Sequence, residues 1–128
     1  MTANHEEKRM LNKRKACMIE CNQKMICVDP AIPVIGLIGK KYTIMIIGVL
    51  GNEGNRKNFN EILSDIPFSS STIISKRLKE LRNAGIIERK DYKGTVNYSL
   101  TKFGIKLRRA LIPLFKLMEK SENDGRFT

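Results

Sequence analysis

Residues 69–104 constrain the fold more than any other stretch, because the apolar pattern switches from helical to strand period and back. Ile74, Leu78 and Leu81 recur at the spacing of one buried helix face. Ser69 or Ser70 can cap the start of that helix, and Gly85 can supply the left-handed residue that ends it. Residues 86–90 then read as a short strand. Lys93-Gly94 suits a tight turn, since glycine accepts a positive φ. Val96, Tyr98 and Leu100 alternate with Asn97 and Ser99, as a half-buried strand does. Thr101 opens a further helix.

Helix 70–84, a hairpin and a second helix, in that order, outline a winged helix-turn-helix. The expected class is mainly α with a small β-hairpin, flanked by N- and C-terminal dimerisation helices. A helix in this position enters the DNA major groove. Its outer faces carry Ser70, Ser71, Thr72, Ser75, Lys76, Lys79 and Arg82, small hydroxyls and cations that reach base edges and phosphates. A plain solvated helix is the competing reading. Arg77 lies beside the buried register and is open to two roles, DNA contact or pairing with Glu80 or Glu61. Arg89, Lys90 and Lys93 place charge on the hairpin, with wing 90–96 expected along the DNA backbone. Lys40 and Lys41 precede another helix and are either phosphate ligands or a solvated pair. Twenty-four Lys and Arg against 13 Asp and Glu give a net charge of +11, a field that attracts polyanions.

The rest of the chain is organised around this unit. Residues 6–26 contain no Pro or Gly, and Leu11, Met18 and Met25 recur every seven residues. That is a narrow stripe on a basic helix, expected to pack across a partner. Segment 1–28 is therefore read as a dimerisation arm and 29–101 as the DNA-binding domain. Asp29-Pro30 is expected to start a short apolar helix. In the helix reaching Leu50, Tyr42, Met45, Ile46 and Val49 are expected inward. Segment 102–120 presents Phe103, Leu107, Leu111, Leu114 and Met118 close to heptad spacing, a second dimerisation seam broken by Pro113. Residues 121–128 read as a polar tail.

Other functions find little support. The longest apolar run, 44–50, is far short of a membrane span, and the first residues are charged where an export signal is apolar. Three cysteines, an odd number, argue against a disulfide scaffold and for a cytoplasmic protein. Their spacing is no standard zinc or iron–sulfur pattern, so no metal or other cofactor is expected. There is no nucleophile–base pair and no phosphate-binding glycine loop, so no enzyme is expected. The alternative to operator binding is a winged-helix module that binds protein or RNA. For that, Tyr92 is the one stacking aromatic available on the hairpin.

Five pieces in order resemble the HxlR-type winged-helix regulators of bacteria and archaea. Ile38-Gly39-Lys40-Lys41-Tyr42 is similar to the family's Ile-Gly-Gly-Lys-Trp, with Lys40 and Tyr42 as departures. Phe59-Asn60-Glu61-Ile62 resembles its Phe-x-Glu-Leu helix, and residues 75–81 and 84–89 resemble its recognition helix and first wing strand. Asn97-Tyr98-Ser99-Leu100-Thr101, with Gly104, resembles the exit from the wing, although the wing itself is shorter and lacks the family's prolines. The polar outer face of helix 70–84, the charge of +11 and the two terminal stripes together predict a homodimer on double-stranded DNA. The resemblance implies that an N-terminal cysteine can sense oxidants, and Cys27, slightly upstream of the family's position, is the candidate. A helix starting near Asp29 and the nearby Lys24 favour its thiolate, while Asp29 opposes it. The competing reading is three buried, inert thiols.

Overall fold

The computed structural model describes residues 17–29 and 32–123, with side chains through 120. The chain divides into two compact units, Met1–Gly36 and Leu37–Thr128.

In the first unit the expected N-terminal helix is replaced, over its described part, by a hairpin. Strands β1 (Cys17–Cys21) and β2 (Lys24–Val28) pair antiparallel, with Ile19 opposite Ile26 and Met18 opposite Cys27. The physical reason lies in Asn22-Gln23, both left-handed (φ 49° and 66°), which make a two-residue hairpin turn. Ile19, Ile26 and Val28, β-branched, favour the strands on either side. The seven-residue Met18–Met25 repeat survives on one face of this hairpin instead of one face of a helix. Leu11 lies outside the described residues. Helix α1 (Pro33–Ile38) begins at Pro33, not at Asp29-Pro30. Proline suits a first helical position because it has no N–H to leave unsatisfied.

The second unit holds α2 (Thr43–Leu50), α3 (Phe59–Asp65), α4 (Ser71–Asn83), β3 (Ile87–Tyr92), β4 (Thr95–Leu100) and α5 (Lys102–Asn123). Its core is aliphatic: Ile46, Ile47, Leu50, Ile62, Ile74, Leu78, Leu81 and Ile86 are fully buried. Each such side chain contributes roughly 1.5–3 kcal/mol of burial. Helix α2 is central, touching α3, β4 and α5. Its inward face differs from expectation. Thr43, Ile46, Ile47 and Leu50 are buried, whereas Met45 is exposed and Tyr42 and Val49 are half-buried. Six of the eight residues of α2 are apolar, so periodicity alone could not choose its face.

Local chemistry fixes the joints. Asn58 and Glu61 form a reciprocal capping box at the start of α3. Lys57 exchanges two backbone hydrogen bonds with Tyr98, tying the α2–α3 loop to β4. Gly85 (φ 75°) ends α4 and turns the chain into the wing. The Thr101 hydroxyl lies 2.6 Å from the Gly85 carbonyl oxygen and accepts from Gly104 N–H at 3.1 Å, capping α5. Arg108 reaches back from α5, donating to the Gly48 carbonyl oxygen (2.9 Å) and the Asn52 side chain (3.2 Å). A cation there suits the carbonyl end of α2.

The expected seam on α5 is split by the fold. Leu111 is buried within its own chain and Met118 is half-covered. Leu107, half-buried, joins the exposed Phe103, Ala110, Leu114 and Leu117 in a 4-3-4-3 row. The helix runs through Pro113 and reaches Asn123, so residues 121–123 are helical and not a tail. The fold is a winged helix: mainly α with a small antiparallel hairpin.

Candidate nucleic-acid interface

Helix α4 buries one stripe and frees the other. Ser70 stands at the cap, its hydroxyl oxygen accepting from Ile73 N–H at 3.4 Å, so that oxygen is engaged in ending the turn. A stripe of Ile74, Leu78 and Leu81, two turns long, faces the core. Ser71, Thr72, Ser75, Lys76, Lys79 and Arg82 are all exposed. The N-terminal residues through Ser75 therefore offer hydroxyls and the residues from Lys76 offer cations.

The two roles open to Arg77 resolve into a scaffold. Its guanidinium binds Glu80 at 2.8 Å and donates through Nε to the Lys41 carbonyl oxygen at 3.0 Å. Glu80 also receives the Lys40 ammonium at 2.7 Å. The hydrogen bond from Lys40 is the main reason the Glu80 carboxyl titrates below the ordinary carboxylate range. The Lys40 and Arg77 charges add to it, and partial burial works against it. Lys40, open to phosphate contact or to solvation by its sequence, thus has its ammonium paired with α4. Lys41 is exposed and lies 5.0 Å from the centre of the Tyr42 ring. Tyr42 is itself left-handed (φ 71°), and its hydroxyl is 3.5 Å from the Phe68 carbonyl oxygen.

In the wing, Ile87 pairs with Leu100 and Tyr92 with Thr95, closed by left-handed Lys93 and Gly94 (φ 51° and 80°). Arg89, Lys90 and Lys93 are exposed, with Lys90 3.4 Å from Glu88. Arg56 joins them unexpectedly. It comes from the α2–α3 loop and lies 4.5 Å from the centre of the Tyr92 ring, with Lys93 at 5.5 Å. The wing tip therefore gathers two cations on one aromatic ring, an attraction of roughly 0.5–1 kcal/mol each when exposed. No local motif marks Arg56, which is 36 residues from Tyr92 in sequence.

The thiols depart from the buried, inert reading. Cys17, Cys21 and Cys27 are exposed, not buried. The register puts Cys17 and Cys21 on one face of the hairpin and Cys27 on the other. No helix begins at Asp29 to support a Cys27 thiolate, since α1 starts at Pro33. Among the described residues no group of three His, Cys, Asp or Glu could hold a metal. None of the described helices is long and apolar enough to cross a membrane.

Comparison with known proteins matches residues 37–125 to the HxlR-like helix-turn-helix family model. A solved structure of a possible HxlR family transcriptional factor from Thermoplasma volcanium is 42% identical, with a TM-score of 0.79. The match covers 84% of this chain and 98% of that one. The uncharacterised HTH-type regulator YdzF of Bacillus subtilis is 35% identical over 67% of this chain and 77% of its own. The reduced form of the B. subtilis transcriptional regulator YodB is 30% identical (TM-score 0.56), covering 80% of this chain and 91% of that one. A diamide-treated form of YodB is also similar, at 34% identity over 70% and 85% of the two chains (TM-score 0.52).

Proposed function

This chain belongs to the HxlR-like helix-turn-helix family of transcriptional regulators, and from that premise we propose a homodimer that reads a near-palindromic duplex site. Helix α4 enters the major groove, and the wing carries Arg89, Lys90 and Lys93 to the flanking backbone, with Arg56 beside them. The observation that carries this reading is the exposed face of α4, where Ser71, Thr72, Ser75, Lys76 and Lys79 stand clear of every intramolecular role described above. Lys40 acts in it as a positioning residue, holding α4 through Glu80.

The outer row of half-buried Leu107 with exposed Phe103, Ala110, Leu114 and Leu117 supports the dimer. Its heptad spacing suits a helix–helix seam, and apolar rows of this kind mark interfaces. Segment 1–28 serves as a second arm, because a two-stranded hairpin is marginal alone in water. Sedimentation of Leu114→Asp against the parent at micromolar concentration tests the seam, with loss of the dimer expected. A wild-type monomer at that concentration refutes it.

Duplex binding is tested by a salt series on Lys76→Ala/Lys79→Ala. Two lost phosphate contacts in each protomer, four in the dimer, flatten the slope of log affinity against log salt by about 3.6. An unchanged slope and affinity would remove α4 from the interface. RNA or protein binding is the weaker reading, since Tyr92 is the one exposed aromatic of the wing and two cations, Arg56 and Lys93, already lie near its ring. Thiol control rests on the exposure of Cys27 and on the similarity to YodB, solved after diamide treatment. Diamide release from DNA that persists in Cys27→Ser removes that residue.

A further inference from the structure

Phe68 carries two costs that the isolated protein does not recover. It lies in the turn between α3 and α4, two residues before the Ser70 cap, with φ 62°. A bulky side chain in the left-handed region is a genuine outlier, and glycine would adopt the same backbone without penalty. Its ring is also uncovered, at 103% relative exposure, the highest of the large apolar residues described. The turn is closed by the Ser69 N–H donating to the Ile66 carbonyl oxygen at 3.3 Å, with the Tyr42 hydroxyl 3.5 Å from the Phe68 carbonyl oxygen. An apolar ring thus stands in water, on a strained backbone, at the entrance to the helix that carries the interface. Backbone strain that persists without an internal return is a pointer to function.

We propose that Phe68 reads a base: its ring packs on the C5 methyl of a thymine in the major groove, at the edge of the site that α4 occupies. Recognition helices meet base edges with their N-terminal residues, and Phe68 lies three residues before the first of them. The thymine methyl is the apolar group that the major groove presents, and phenylalanine is among the side chains that meet it. Ser71, Thr72 and Ser75 supply the polar contacts beside it, so the ring adds what they lack. The proposal rests on the reading of α4 as the DNA-reading helix.

The test uses a duplex enriched from a random pool by the purified protein, and a set of duplexes in which each thymine is replaced singly by deoxyuridine. These are bound by the wild type and by Phe68→Gly. Relief of the left-handed strain, less the extra chain entropy of glycine, leaves the thermal midpoint of Phe68→Gly at or up to about 8 °C above the parent's, while its affinity for the parent duplex falls about fourfold or more. One deoxyuridine substitution weakens the wild type about fourfold, the value of one buried methyl group, and leaves Phe68→Gly unchanged. A wild type that binds tightly but responds to every deoxyuridine as Phe68→Gly does overturns the assignment and leaves DNA binding intact. Affinity lost together with the dimer overturns it too, placing the ring against a second copy. A midpoint lowered in Phe68→Gly shows that the ring is covered and overturns it as well. A wild type that enriches no duplex removes the DNA reading and this assignment together.

Discussion

Gly104→Ala reverses a familiar rule, and the reversal can be sized. Within a helix, alanine is favoured over glycine by about 1 kcal/mol. On an open face the change therefore stabilises. At Gly104, however, a Cβ would lie 2.1 Å from the Ile86 carbonyl oxygen and 3.2 Å from Leu100 Cδ2. Carbon and oxygen ordinarily approach no closer than about 3.3 Å, so α5 and the start of the wing must part by more than about 1 Å. That carbonyl accepts from Thr101 N–H at 3.0 Å, and the Thr101 hydroxyl caps Gly104 N–H at 3.1 Å. Losing both bonds costs about 2 kcal/mol, and overpacking adds about 1–3 kcal/mol. Less the propensity gain, the net loss is about 2–4 kcal/mol, or a fall in Tm of roughly 10–25 °C for a unit of this size. Thermal unfolding followed by circular dichroism at one fixed protein concentration reads this directly. Gly36→Ala in α1 is the control, since a Cβ there meets nothing within 4 Å. A Gly104→Ala variant at or above the parent midpoint would refute the close approach of α5 to Ile86.

Two further outcomes follow from buried and paired polar groups. Thr43 is fully buried and its hydroxyl has no partner among the described residues. Thr43→Val should stabilise by about 1 kcal/mol, seen as a higher urea midpoint at unchanged slope. Glu80 titrates below the ordinary glutamate range in the fold, so its contribution to stability is full above that range and is lost as pH falls through the lower folded value. Removing the main cause with Lys40→Met should raise the Glu80 pKa in an NMR titration and move the acid loss of stability to higher pH.

The wing and its flanking helices were legible because their signals are local and agree with one another. Ser70, Gly85, Lys93-Gly94 and the alternation from Val96 to Leu100 each specify backbone within a few residues. Where a segment is apolar all round, as in α2, the pattern is mute about orientation, and the facing elements choose Thr43 and Ile47 over Tyr42 and Met45. The N-terminal segment misled for a related reason. A seven-residue repeat with no Pro or Gly fits a helix, yet the Asn22-Gln23 turn and the β-branched residues beside it make a hairpin.

By itself the sequence determined that the protein carries a large positive charge and that one helix shows hydroxyls and lysines opposite an aliphatic stripe, because composition and period are properties of the chain before it folds. Which cations remain available to a polyanion was decided only by tertiary structure. Lys40 is paired with a carboxylate 40 residues away, Arg56 meets the wing through Tyr92, and Leu111 leaves the outer seam for the core. Electrostatic and apolar contacts depend on distance in space, and nothing in the spacing of residues along the chain sets the distance between helices.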